Sequence, residues 1–221
     1  MPRSKKNKLK VVTVIGVIGS GKSTAMPLVA EALRAHPVEA DNFFQTTNPF
    51  RDEYLNDLSR WSLANETWLT LDRAEMIAEE IKKTKKGSKD ITVIDSGLVM
   101  SWAYMRMHLK YSEVNEKEWK LFARIFDQVE NGYKSDTLLW LDVTAETALD
   151  RVKMRGRDYE LAYYTLEYLS NLRESVAEVA EKMSKSGVKV IKVDEDKVGN
   201  IVSDDKAREK FKLWVTKSVL G

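Results

Sequence analysis

The chain has 221 residues, 43% of them hydrophobic, enough to bury one sizeable core and to suggest a single domain over residues 10–221. Its 36 Lys and Arg nearly cancel 34 Asp and Glu, leaving a net charge of +2 and no global basic field of the kind that holds nucleic acid. Cysteine is absent and histidine occurs only at His36 and His108, which excludes disulfides, thiolate nucleophiles and Cys-based zinc sites and argues against a histidine-rich metal site.

Residues 1–9, with Arg3, Lys5, Lys6 and Lys8, read as a frayed basic terminus. They run straight into a strand and a glycine loop, unlike a signal peptide, and every apolar run falls far short of the roughly 20 residues a membrane span needs. The expectation is a soluble, cytoplasmic protein with no membrane or nucleic-acid partner. Val11–Ile15 is a β-branched run suited to a strand buried on both faces. The loop Gly16–Gly21 follows, then a helix from Lys22 to about Ala35 with Pro27 in its first turns. Val38–Glu39 is a candidate short strand, and Asn48-Pro-Phe-Arg-Asp reads as a turn opening a helix.

A long helix is predicted from about Trp61 to Lys86, and the segment Gly87–Asp90 breaks it. Ile91–Ile94 is the next strand, ending at Asp95-Ser-Gly, and helical segments fill Val99–Asn131. Thr137–Val143 is a strand, Thr144 opens a helix, one long helix is predicted over Tyr159–Lys185, Val188–Val193 is the last strand, and the tail to Leu220 is helical. Such alternation gives an α/β three-layer sandwich, a parallel sheet of about five strands with helices on both faces. In open sheets of this kind ligands bind at the carboxyl ends of the strands. Gly16–Ser23, Glu39, Asp95-Ser-Gly and the residues after Val143 converge there.

Gly16-Val-Ile-Gly-Ser-Gly-Lys-Ser matches the phosphate loop G-x-x-x-x-G-K-[ST] in full. Glycines let the backbone curl so that consecutive N–H groups point inward at phosphate oxygens, and the helix from Lys22 adds its positive dipole end. Lys22 supplies a charge for the β- and γ-phosphates, and the Ser23 hydroxyl is a Mg²⁺ ligand. A chance match arises in roughly one chain in a hundred of this size at average residue usage. ATP, or another nucleoside triphosphate, with Mg²⁺ is therefore expected.

Arg151, Lys153, Arg155 and Arg157 lie within seven positions, with Gly156 among them. Forked guanidiniums closing over a transferring phosphoryl group would stabilise its spread charge, and Gly156 would let the segment 151–160 fold as a lid. Glu39 is a candidate base for the acceptor hydroxyl. Asp95 is either a Mg²⁺ ligand or a helix N-cap, and Asp142 is a strand-end acid of the same ambiguity. Phe43, Phe44, Trp61, Trp68 and Trp102 are core by default, with one or two available to stack on a base.

Together these residues resemble the deoxyribonucleoside kinases, P-loop relatives of thymidylate kinase that phosphorylate the 5′-hydroxyl of deoxynucleosides. Gly16–Thr24, with Ile18, Gly19, Ser20 and Gly21, is similar to G-x-I-G-S-G-K-S-T. Glu39 falls at the family's general base. Asn48-Pro-Phe with Asp57 and Arg60-Trp61 is similar to N-P-Y…D…[KR]-[WY], and Arg151–Arg157 with Glu160 to the lid R-x-x-x-R-G-R-x-x-E. Tyr168-Leu169 and Leu172 resemble the Y-L-x-x-L that follows. The resemblance implies lid arginines on the donor phosphates, Glu160 near the sugar 3′-hydroxyl, Phe44 lining the acceptor pocket, and a homodimer through helices including Trp102–Leu109.

Departures concentrate on the acceptor side. Asp95-Ser96-Gly97 stands for E-R-S or D-R-S, so an arginine is missing, and Ala40 replaces a proline. The sugar-side tyrosine falls at Leu55 with Tyr54 one position off, the base-reading glutamine at Glu66, and an acid at Ser101, while Arg73 matches. Glutamate at 66 offers only acceptors when ionised, which favours a donor edge such as that of guanine, unless Arg73 neutralises it. Two other readings stay open: a nucleoside monophosphate kinase of the thymidylate kinase type, and a nucleotide-binding protein that has lost transfer.

Overall fold

The computed structural model describes residues 10–38, 48–86, 90–193 and 195–221. Five parallel strands form its sheet: β1 (Lys10–Ile15), β2 (His36–Val38), β3 (Ile91–Asp95), β4 (Thr137–Leu141) and β5 (Lys189–Val193), in the order β2-β3-β1-β4-β5. β1 lies between β3 and β4, with Val14 beside Asp95 and Ile15 beside Trp140. The loops after β1 and β3 therefore leave neighbouring strands at the same end, the position where such sheets bind ligands.

Strand periodicity separates two cores. Val12, Val14, Val93 and Leu139 pack with Met26 and Val29 of α1 (Lys22–Leu33) and with Phe211 and Val215 of the C-terminal helix Asp205–Leu220. Val11, Ile15, Ile94 and Leu138 pack on the opposite face. There they meet Ile77, Met105, Phe122, Phe126, Leu172 and Val176. Each of these large side chains contributes roughly 1.5–3 kcal/mol by leaving water. The result is the expected three-layer sandwich.

The chain between β2 and β3 carries α2 (Arg51–Asn56) and α3 (Leu58–Lys86). The helical stretch after β3 is two helices, α4 (Gly97–Lys110) and α5 (Glu116–Glu130). Asn115 separates them: its side chain accepts from the Glu118 backbone N–H while the Glu118 carboxylate accepts from the Asn115 N–H, a capping box. After β4 come α6 (Ala145–Arg155), α7 (Asp158–Tyr163) and α8 (Leu166–Lys185). One helix over Tyr159–Lys185 is thus corrected to two. Tyr164 is extended, and Thr165 Oγ1 accepts from the Tyr168 N–H, so a new helix starts there instead of the old one continuing. The segment Glu195–Val198 forms the short α9, and the C-terminal helix is α10.

Trp102, Met105 and Met107, in the stretch expected at a dimer face, are buried in the chain's own core. Asp142 proves to be a structural acid. Its carboxylate, 3% exposed, accepts from Arg173 Nε at 2.7 Å and Nη2 at 2.9 Å, and Lys192 Nζ lies 2.5 Å from Oδ2. Burial raises this carboxyl's pKa, but the Arg173 and Lys192 contacts outweigh that and leave it below its ordinary value. A depressed carboxylate contributes stability above its unfolded pKa, and that contribution disappears as pH falls through the folded value. Asp142→Asn is accordingly expected to cost about 1–2 kcal/mol at pH 7, the two cations being half exposed. Urea denaturation of both proteins should show the gap closing on acidification below about pH 4.

Candidate active site

The loop after β1 is shaped by its contacts. The Ser20 N–H donates to the Val17 carbonyl at 3.1 Å, and Lys22 Nζ donates to the Gly16 and Val17 carbonyls at 2.9 and 3.0 Å. The lysine charge therefore lies on the loop itself. A Cβ at Gly16 would fall 2.8 Å from the Leu141 carbonyl. At Gly19, where φ is +79°, a Cβ would overlap the Ala148 carbonyl of α6. Only glycine allows both that backbone conformation and that approach.

Three observations fit this loop to a polyphosphate. α1 starts at Lys22 with Gly21 before it, no side-chain cap and no acid in its first turn, so its N-terminal dipole is uncompensated by protein. The buried Ser20 Oγ has no hydrogen-bond partner among the described residues. Ser23 is exposed at the helix start and Thr24 follows it inside the first turn. Ile18 packs against the core beneath. Asp95, buried at the end of β3, accepts from Ser96 Oγ at 2.9 Å. Ser96 holds φ +58° without being glycine, a conformation costing about 1–3 kcal/mol.

The arginine-rich segment reaches this loop from α6. Arg151 Nη1 donates to the Gly19 carbonyl at 3.4 Å, while Nη2 donates to Glu195 Oε1 and, at 3.2 Å, to Asn200 Oδ1. Gly156 ends α6 in the left-handed conformation, and Arg157 precedes α7. The buried Glu160 carboxylate accepts from Arg155 Nε at 2.8 Å and Nη2 at 2.6 Å, and from Arg157 Nη1 at 3.3 Å. Glu160, expected near a sugar, here joins the two arginines.

A second polar cluster lies between α3 and α4, bordered by α2 and α7. Tyr54 OH is 3.1 Å from His108 Nε2, whose Nδ1 is 2.6 Å from Glu113 Oε2, and Tyr163 of α7 hydrogen-bonds Tyr54. Arg73 Nη1 donates to Ser101 Oγ at 2.6 Å. Glu66 is 2% exposed; burial pushes its carboxyl upward against the opposing pull of His108 and then Arg73. Burial also holds the Tyr54 and Tyr168 hydroxyls well above 10, so both remain protonated donors. Tyr163, Tyr164 and Tyr168 pack ring on ring at 5.3–5.5 Å.

Of the residues expected at the site, Glu39 and Phe44 lie outside the described residues. Tyr54, Glu66 and Arg73 do meet in one cluster. His108, Glu195 and Asn200 carry contacts that the sequence reading missed. A signal existed for His108. It stands seven residues after Ser101 as Arg73 stands seven after Glu66, so each pair shares one helix face. That α3 and α4 turn those faces together is a tertiary fact. Among the described residues no helix is long and apolar enough to cross a membrane.

A parallel sheet, a glycine loop at the end of its central strand and an uncapped helix behind the loop define a P-loop nucleotide-binding protein. Comparison with known proteins narrows that class. The family model "Deoxynucleoside kinase" matches residues 12–220. A deoxyadenosine kinase of Dictyostelium discoideum is 22% identical over 177 residues, 79% of this chain and 68% of the relative. A deoxyadenosine/deoxycytidine kinase of Bacillus subtilis is 25% identical over 160 residues, 70% of this chain and 69% of its own. The solved structure of deoxyadenosine kinase from M. mycoides with bound dATP superposes with a TM-score of 0.71 at 20% identity, over 95% of this chain and 100% of that one. The chain belongs to the deoxynucleoside kinase family, whose members are phosphotransferases acting on nucleosides.

Gly19→Ala, which forces the left-handed residue and the Ala148 overlap together, should lower stability by about 1–3 kcal/mol. Wild type should gain about 2.7 kcal/mol at an ATP–Mg²⁺ concentration of 100 Kd. Thermal denaturation should show that gain shrinking or vanishing in Gly19→Ala.

Proposed function

We propose that the protein transfers the terminal phosphoryl group of ATP, or of another nucleoside triphosphate, to the 5′-hydroxyl of a deoxynucleoside. Relatives named for deoxyadenosine and deoxycytidine support that acceptor class. The observation carrying the reading is Arg151, which spans from the Gly19 carbonyl to Glu195 and Asn200 and so ties the arginine-rich segment to the phosphate loop.

Each residue has a task in this account. The N–H groups of Gly19, Ser20, Gly21, Lys22, Ser23 and Thr24 and the Lys22 ammonium hold the β- and γ-phosphates. Ser23 and Asp95 would hold Mg²⁺, which neutralises charge on the β- and γ-oxygens. Glu39, which follows directly on β2, takes the proton of the 5′-hydroxyl. As that oxygen bonds to Pγ, the bond from Pγ to the β,γ-bridging oxygen breaks and ADP leaves. Arg151, Arg155 and Arg157 close as a lid on the transferring group, whose charge is spread over three oxygens. Glu160 holds Arg155 and Arg157 in reach of the phosphates and lies towards the sugar 3′-hydroxyl of the acceptor. Tyr54, Glu66 and Arg73 form the acceptor wall next to α7. Returning a free nucleoside to the nucleotide level is a salvage step, with the cytoplasm as its setting.

An ADP-release assay across the common deoxynucleosides and their monophosphates tests this reading. Turnover is expected with nucleosides. Lys22→Ala should lower it by about 10²–10³-fold and Glu39→Gln by about 10²–10⁴-fold in kcat. Turnover of monophosphates alone, with Glu39→Gln as active as wild type, would assign the acceptor to the other class.

A further inference from the structure

In the buried cluster, hydrogen-bond polarity is set from one end. The Phe50 backbone N–H, which can only donate, reaches Asn48 Oδ1 at 3.0 Å. This fixes the Asn48 amide, so that Nδ2 donates to Asn65 Oδ1 at 2.7 Å. With its oxygen accepting, the fully buried Asn65 uses Nδ2 as donor to Glu66 Oε1 at 3.1 Å. Each amide orientation follows from the one before. The chain ends on Glu66 Oε1 as an acceptor.

Glu66 Oε2 is thereby turned away from the chain. It is buried and has no hydrogen-bond partner among the described residues. Arg73 Nη1 donates to Ser101 Oγ at 2.6 Å, and Ser101 in turn hydrogen-bonds the Glu66 carboxyl, so Arg73 and Ser101 support the carboxylate while Oε2 stays without a partner. A buried carboxylate oxygen without a partner costs several kcal/mol, which a ligand N–H would recover. The cluster borders α7 through Tyr163 and Tyr54, next to Glu160 and the arginines, so a ligand N–H arriving here belongs to the acceptor.

We propose that Glu66 selects acceptor nucleosides whose base offers adjacent N–H donors, guanine before all others, and that Asn48 and Asn65 are positioning residues that fix the carboxylate's orientation and leave Oε2 open to the base. This rests on the nucleoside kinase reading above. Guanine presents N1–H and N2–H₂ side by side, one donor for the unpartnered Oε2 and one for the lone pair that Asn65 leaves on Oε1. Adenine and cytosine offer an amino group beside a bare ring nitrogen, whose lone pair opposes the carboxylate. Thymine flanks its single N3–H with two carbonyls.

The same chain makes Glu66→Gln a sharp test. Its Oε1 must take the Asn65 donor, which forces Nε2 into the place of Oε2 and presents a donor where wild type presents an acceptor. Calorimetric binding of deoxyguanosine, deoxyadenosine, deoxycytidine and thymidine, without phosphate donor, reads the outcome. Wild type is expected to bind deoxyguanosine most tightly. Glu66→Gln should weaken deoxyguanosine about 10- to 100-fold and not weaken thymidine. Asn48→Ala, remote from the base, should reduce the preference by a smaller factor, and it carries the test if circular dichroism shows Glu66→Gln unfolded. Thymidine binding most tightly to wild type, or Glu66→Gln shifting all four nucleosides alike, would overturn the assignment. The preferred nucleoside bound as expected but never phosphorylated would sink the kinase reading and leave the base assignment standing. Phosphorylation with a ranking indifferent to Glu66→Gln would do the reverse.

Discussion

Phosphate loop and arginine helix meet at one point where no side chain fits, Gly19 against the Ala148 carbonyl of α6. That contact sets the height of the loop over the sheet and brings Arg151, one helical turn beyond Ala148, to the Gly19 carbonyl. Everything on the donor side depends on it. The uncapped start of α1, the unpartnered Ser20 hydroxyl and the Lys22 ammonium lie along one short curl of backbone, and α6 fixes that curl from outside. Glu195 and Asn200 extend the clamp to the segment after β5. Loop, α6 and the turn after β5 thus share a single guanidinium.

Much of this was legible in the sequence because local chemistry dictates it. Apolar runs gave four strands, with Val11–Ile15 and Ile91–Ile94 within a residue of their observed bounds, whereas the strand expected at Val38–Glu39 runs over His36–Val38 and shares only Val38 with it. Gly16–Ser23 carries its mechanism in its residue types. What was not legible was tertiary in origin. Thr165 restarts a helix inside what reads as one periodic run, and nothing short of the fold shows that its hydroxyl caps the Tyr168 N–H. Asp142 reads as an ambiguous strand-end acid, metal ligand or helix cap, until Arg173 and Lys192 come to it from another helix and another strand. His108, a single histidine on an apolar helix, gained a role when α3 and α4 turned their polar faces together. The arginine-rich segment was visible, but Glu160 as the carboxylate joining Arg155 and Arg157 was not.

In the proposed function the acceptor side is organised by polarity where the donor side is organised by charge. Phosphate binding needs only many inward N–H groups and cations, so it tolerates little variation in the loop. A buried base site must match each donor to an acceptor, and a change from amide to carboxylate at one position reverses what it accepts. Under the proposed reading that position is Glu66, held by a directed chain starting at a backbone N–H, with the charges of His108 and Arg73 opposing the effect of its burial. Ser96, strained and buried at the end of β3, occupies the turn between the two sides. No arginine stands in that turn, and in the proposed mechanism the guanidiniums that serve the transfer come from α6 and the α6–α7 junction.

The central claim is that the triphosphate held by the β1 loop gives its terminal phosphoryl group to a nucleoside hydroxyl. Phosphorus NMR of a reaction containing ATP, Mg²⁺ and a deoxynucleoside observes that bond directly. The account predicts a new monoester signal coupled to the 5′-methylene protons, growing in step with the β-phosphate signal of ADP. ATP left intact beside every nucleoside, or ADP accumulating with inorganic phosphate and no ester, would contradict it.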